Sequence, residues 1–231
     1  MKDNKPKTLS FKLLWEGTAF VILVSVAIFL TAGRIDYWQG WLYTAANVIA
    51  YFMTVIRMWR HPELIQERLR PGAGWKLWDK VFMVVLVILL GATLTIGTLD
   101  TGRFKWQPFL PAFISMLSFA GYIIGQALFI WAKYTNRFFS SVVRIQKDRG
   151  HTVCQEGPYR VVRHPGYVGA LLFLTCTPLI FGSLRALIPA ILLDIALLIR
   201  GELEDAALQK ELAGYAEYSK KVRYKLIPYI W

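Results

Sequence analysis

Residues 81–97, VFMVVLVILLGATLTIG, have no polar face at any helical or strand spacing, and neither do residues 20–30, FVILVSVAIFL. A helix that is apolar all round must be surrounded by lipid or protein on every side. Such runs leave little choice of fold. With 55% hydrophobic residues and a mean hydropathy of +0.40 over 231 residues, the chain is too apolar for a soluble domain of its size. The pattern predicts an all-α, polytopic integral membrane protein. About six transmembrane helices are expected, near 14–32, 37–57, 79–98, 109–131, 167–181 and 184–200. The last two are short and separated by Phe181-Gly182-Ser183, which predicts a tight helical hairpin, either spanning or re-entrant. A cytoplasmic, amphipathic C-terminal helix is expected from about residue 200.

The formal charge of +12 would suggest nucleic-acid binding in a soluble protein. Its distribution points elsewhere. All 27 Lys and Arg except Arg34, Arg103, Lys105 and Arg185 fall in alternate segments, on one side of the expected spans. That is the positive-inside pattern, with both termini cytoplasmic and no nucleic-acid partner required. Trp15, Tyr37, Trp38, Trp41, Trp75, Trp78 and Trp106 sit near span ends, where amphipathic rings suit the headgroup level. The first apolar run does not end in a small-residue cleavage site, so it reads as a retained span. A bacterial inner membrane or an ER-type membrane suits the short loops. The whole chain, 1–231, reads as a single membrane domain, with N-terminal spans over 1–132 and the chemistry-bearing region over 133–231. Two long polar segments, 132–166 and 200–231, face the cytoplasm in this arrangement. No Gly-x-Gly-x-x-Gly stretch follows a strand pattern, so a soluble dinucleotide-binding domain is not expected.

The tripeptide Arg-His-Pro occurs twice, at 60–62 and 163–165. Proline suits the first turn of a helix, where its missing N–H costs nothing, so either copy could mark only a helix start. The first copy has no neighbouring cluster and reads as structural. The second is preceded by His151, Gly157 and Tyr159 and followed by Tyr167 and Gly169, all at one span entrance. Polar groups there need partners, and a bound polar ligand is one way to supply them. Farther on, Arg200 and Glu204 lie four apart on one helix face. They could form an ordinary surface ion pair, but Arg200 ends an apolar run, and ionisable groups at a membrane boundary are functional candidates. The three histidines do not assemble a metal site: His151 and Cys154 have no second close pair to complete four ligands. Neither cysteine belongs to a disulfide framework, and no base is placed to activate Cys154 or a serine as a nucleophile.

The stretch GHTVCQEGPYRVVRHPGYVG (150–169), the run RGELED (200–205) and the tail YAEYSKKVRYKLIP (215–228) together resemble the isoprenylcysteine carboxyl methyltransferase family. These are integral membrane methyltransferases that use S-adenosyl-L-methionine and are related to phospholipid methyltransferases. The resemblance covers roughly residues 144–231; Asp205 stands where the family has a second Glu, and the N-terminal half has no comparable match. It implies that His151, Thr152, Val153, Cys154, Tyr159, His164, Pro165, Gly166 and Tyr167 line the cofactor, with Glu204 closing the site. It implies that Arg200 contacts the substrate, so that Arg200 and Glu204 carry the catalysis. A further polar contact upstream falls to Arg144 by spacing or to Gln146 by side-chain type.

The implied reaction is methyl transfer to a lipidic or amphiphilic acceptor within the membrane, with O-methylation of a carboxylate favoured. Such an in-line displacement relies chiefly on positioning, and a carboxylate acceptor needs no general base. Gly166 and Gly169 would let their helix approach the ligand closely. Alternatives are a phospholipid N-methyltransferase and an integral membrane NADPH-dependent reductase of a sterol or polyprenyl double bond. A non-catalytic transporter would need paired ionisable residues within the spans, where only Asp194 is found. His164→Ala should impair activity, whereas His61→Ala should not.

Overall fold

The computed structural model describes residues 11–60, 74–106, 108 and 110–231; His61 and Pro62 of the first Arg-His-Pro copy lie outside it, as do the side chains of residues 11–13, Met58 and Arg60. Among the described residues there are seven α-helices and no strand. They are α1 (Phe11–Ala32), α2 (Trp38–Arg60), α3 (Leu77–Thr98), α4 (Ala112–Thr135), α5 (Pro165–Ile180), α6 (Leu187–Glu211) and α7 (Tyr215–Lys221). Three segments are long and apolar enough to cross a membrane: Leu14–Ala32, Leu77–Arg103 and Ala112–Thr135. Their outward residues are apolar as well: Leu23, Leu30, Val84, Val87, Phe113 and Leu117 are all more than half exposed. Lipid rather than water suits such a surface.

One expected boundary is absent. The sixth apolar segment and the helix expected from residue 200 form a single helix, α6, with no break at Arg200-Gly201. The following residues are strong helix formers (Glu, Leu, Ala, Gln, Lys), and Gly201 lies buried inside the helix, where a Cβ would meet the Tyr167 ring at 3.7 Å, an ordinary contact. At about 1.5 Å per residue α6 is longer than a hydrocarbon core requires, so its second half projects from the bundle. The turn that follows is made at Gly214, whose φ of +82° suits glycine, and α7 begins there.

The bundle is tightest between α4 and α5. A Cβ on Gly125 would lie 2.8 Å from the Gly169 carbonyl and the Phe173 amide nitrogen, and one on Gly169 would lie 2.6 Å from the Gly125 carbonyl and the Phe129 amide nitrogen. The two backbones therefore touch, as small residues allow between membrane helices. This corrects the reading of Gly169, which serves helix packing rather than ligand approach. Around this crossing Tyr37, Tyr43, Tyr122, Ile180 and Phe181 form one core, and Phe82, Leu174, Leu193 and Leu197 another. Asp194 accepts a hydrogen bond from Thr175 at 2.6 Å, which joins α5 to α6.

The end opposite the site is closed by polar contacts. The π-helical turn Leu99–Arg103 continues α3 and carries the fully buried Asp100, which accepts from Ser183 and from Arg185 (2.8 Å) in the α5–α6 turn. At the other end α3 begins beside α6, and this is where the second, loop-rich layer of the molecule sits.

Candidate active site

The segment between α4 and α5, residues 136–164, folds back beneath the helical layer. It has two short 3₁₀ turns, Lys147–Arg149 and Gly157–Arg160, and otherwise little regular structure. Three anchors hold it. Gln146 donates to the Phe138 carbonyl at 2.7 Å and accepts from Arg149 at 2.5 Å, pinning a loop around a fully buried amide. The Tyr159 carbonyl accepts from Tyr218 of α7 at 2.7 Å. Arg163 donates two parallel hydrogen bonds to Asp205 of α6, at 2.9 and 3.1 Å, and two more to the Val222 and Arg223 carbonyls.

Asp205 is the hub of this packing. Beyond Arg163 it accepts from His164 at 3.0 Å, Tyr215 at 2.7 Å and Gln209 at 2.8 Å, and it is almost fully buried. Although burial alone would raise its pKa, the bonds from His164, Arg163 and Tyr215 hold it well below the usual carboxylate range. The second Arg-His-Pro copy therefore has divided duties: Arg163 staples the C-terminal tail to α6, and Pro165 is the buried first residue of α5.

These anchors enclose a cavity of about 100 Å³, which widens to about 800 Å³ when the open solvent at its mouth is counted. Of the residues singled out from the sequence, Arg144, His151, Thr152, Val153, Cys154, Tyr159, His164, Gly166, Tyr167, Arg200 and Glu204 line it. Gln146 and Pro165 do not; both are buried behind the wall. Of the two upstream candidates, then, Arg144 is the one at the cavity, with its outer side held by Asp148 at 2.8 Å. Leu208, Leu212, Tyr215 and Tyr218 add an apolar back wall, and Asn136, Phe138, Phe139 and Ser140 the opposite one. Gly166 is needed here: a Cβ on it would meet the Phe139 ring at 2.8 Å.

The polar groups are arranged in a chain. Arg200 donates to the Tyr167 hydroxyl at 2.9 Å, and that hydroxyl donates to Glu204 Oε2 at 2.5 Å. Arg200 and Glu204 are thus linked through Tyr167 rather than as the direct surface pair that their spacing allows. The ion-pair partner of Arg200 is Asp79, at 2.8 Å, in the first turn of α3. Sequence reasoning missed Asp79; its one signal is an acidic residue at the mouth of an apolar span. Glu204 Oε1 has no hydrogen-bond partner among the described residues. Across the cavity the His151 Nδ1 accepts from the Gln146 amide at 3.3 Å, which places the proton of the neutral ring on Nε2. Burial pushes its pKa down to about 4. The main chain of Thr152–Cys154 makes no hydrogen bond to other main-chain atoms among the described residues, which leaves its N–H and C=O groups available to a ligand. Burial raises the pKa of the Cys154 thiol, which does not suit a nucleophile.

Among the described residues no group of three or more His, Cys, Asp or Glu could hold a metal ion. A carboxylate oxygen, an imidazole N–H, unpaired main-chain groups and an aromatic wall suit instead a polar organic ligand carrying both cationic and hydrogen-bonding groups.

Comparison with known proteins agrees with that chemistry. Residues 116–210 match the Isoprenylcysteine carboxyl methyltransferase (ICMT) family. Two curated relatives, each named "Probable protein-S-isoprenylcysteine O-methyltransferase", from Oryza sativa subsp. indica and subsp. japonica, are 35% identical over 74 residues. That alignment takes in 29% of this chain and 39% of the length of each rice protein. The matched region includes α5, the loop segment before it and nearly all of α6. By that match, the part of the chain that builds most of the cavity, residues 116–210, is similar to the isoprenylcysteine carboxyl methyltransferase family, and the alignment spans well under half the length of the curated relatives.

Proposed function

We propose that the chain is a membrane methyltransferase that uses S-adenosyl-L-methionine and methylates the carboxylate of a lipidic, S-prenylcysteine-like acceptor. The observation that carries this reading is the convergence on one cavity of His151, Tyr167, Arg200 and Glu204, within a stretch matching a methyltransferase family. The donor set fits the cofactor. Glu204 Oε1 can accept from an ammonium or ribose hydroxyl, and the unpaired main chain of residues 152–154 can read a heterocycle edge. The aromatic faces of Tyr159 and Tyr167 favour a cation. When bound, the cofactor supplies a methyl group on a sulfonium, already a good leaving group.

The chain's own contribution is placement. Arg200 presents N–H groups that can hold an acceptor carboxylate, which is nucleophilic at neutral pH without a base. His151 donates from Nε2, and its one lone pair, on Nδ1, is engaged by the Gln146 main-chain N–H, so the ring does not compete for the methyl group as a second nucleophile. The Leu208, Leu212 and Tyr215 wall keeps water from the reacting atoms. In the same reading six helices span the bilayer as a single membrane domain, with both termini and the cavity on the cytoplasmic side. The cofactor then enters from the cytoplasm and the acceptor from the lipid.

The test is methylation of N-acetyl-S-farnesylcysteine by the purified chain with radiolabelled S-adenosylmethionine. Label released as methanol by mild base is the expected result, because a methyl ester hydrolyses there. Base-stable label would signify N- or S-methylation, and an absence of label with thermal stabilisation by NADPH instead of S-adenosylhomocysteine would overturn the reading.

A further inference from the structure

Resting on that methyltransferase reading, we propose that Asp79 of α3 is a positioning residue for the acceptor, acting through Arg200. Asp79 does not line the cavity and is fully buried. Both of its oxygens are engaged: Oδ1 accepts from Arg200 Nε at 2.8 Å and Oδ2 from the Val143 main-chain N–H at 2.6 Å. One carboxylate thus ties together two parts of the cavity wall, α6 through Arg200 and the segment after α4 through Val143. It belongs to the N-terminal half of the chain, outside the matched residues 116–210.

The consequence falls on the guanidinium. Arg200 has five N–H groups. Nε is given to Asp79, one bond from Nη1 goes to the Tyr167 hydroxyl, and one from Nη2 goes to the Ser141 carbonyl at 3.0 Å. The Phe82 ring covers the group, with its centroid 4.8 Å from Cζ. One N–H on each Nη remains, and with the plane of the group fixed on three sides their direction is fixed too. Asp79 also neutralises the charge of Arg200, so the selection of an acceptor rests on geometry more than on net attraction. A planar, two-oxygen acceptor matches a fixed pair of donors; a single hydroxyl or an amine does not.

An asparagine at position 79 cannot reproduce this arrangement. It would turn an NH₂ toward one of the two donors, so either Arg200 or Val143 loses its acceptor. Asp79→Asn is expected to raise KM for N-acetyl-S-farnesylcysteine about tenfold, while the Kd for S-adenosylhomocysteine changes by less than about twofold. In an Arg200→Lys background, where the two-donor edge is already gone, the same substitution should cost less than about twofold further in kcat/KM. If Asp79→Asn does not accumulate, Asp79→Glu gives the same readouts with a smaller rise in KM. Unchanged KM, or losses that multiply fully with Arg200→Lys, would overturn the role of Asp79 while leaving the methyltransferase reading standing. A wild-type chain that neither binds S-adenosylhomocysteine nor methylates the probe would overturn both.

Discussion

His151 and Asp205 show how single side chains at this site tie protonation to stability, with the same sign. His151 titrates near 6.5 in an unfolded chain and near 4 when folded, because burial disfavours its charged form. Between those values the unfolded chain binds the extra proton, so stability falls as pH drops from 6.5 toward 4. Thermal melts of wild type should therefore lose more between pH 7 and pH 5 than melts of His151→Gln; parallel losses would show that the ring is not held neutral. Asp205, held below its ordinary value, contributes stability that is present above about pH 4 and lost as pH falls further. Asp205→Ala leaves Arg163 and His164 buried without their acceptor and should cost about 3–5 kcal/mol. A melting temperature within a degree of wild type would contradict that role. The sequence marked half of the cavity residues: His151, Tyr159, His164 and Tyr167 by the cluster around the second Arg-His-Pro, Arg200 and Glu204 by their helix spacing, and the rest by the family resemblance, whereas Asp79 and Asp205 act through partners far away in the chain. A distant ion pair such as Asp79–Arg200 has no local periodicity to betray it. Gln146 and Arg144, two apart in sequence, could be told apart only once the loop showed which faces the cavity.

At the scale of helices, the apolar runs were legible because a span is a long, simple pattern: α3 and α4 lie within a few residues of their expected positions. Boundaries set by tertiary contact were not. The chain continues helically through Arg200-Gly201 because strong helix formers follow it, and Gly169 faces Gly125 rather than a ligand. Gly169→Val places atoms 2.6 Å from the α4 backbone and should destabilise the bundle by about 1–3 kcal/mol or more. Gly91→Ala in α3, where a Cβ meets nothing within 4 Å, is the matched control and should leave the melting temperature equal or higher. If both glycines tolerate substitution equally, the α4–α5 contact is not what holds these helices together.

On the scale of the whole molecule, the proposed arrangement puts the polar layer at one face of the membrane and the Asp100–Ser183–Arg185 closure at the other. Single cysteines at Leu184 and Ile230, introduced into a chain lacking Cys154 and Cys176, should label from opposite sides of sealed vesicles; labelling from one side would contradict the six-span topology. Arg200, Tyr167 and Glu204 link α5 with α6, and Asp79 braces Arg200 from α3, so one N-terminal helix supports the pocket without lining it. The proposed reaction depends on a sulfonium nucleoside bound between residues 151–167 and the second half of α6. Titration calorimetry of S-adenosylhomocysteine into the detergent-purified chain tests it most directly. Saturable binding to the wild type and its loss in a folded Glu204→Ala variant are expected; no binding to the wild type, or equal binding to both, would rule out a cofactor site there.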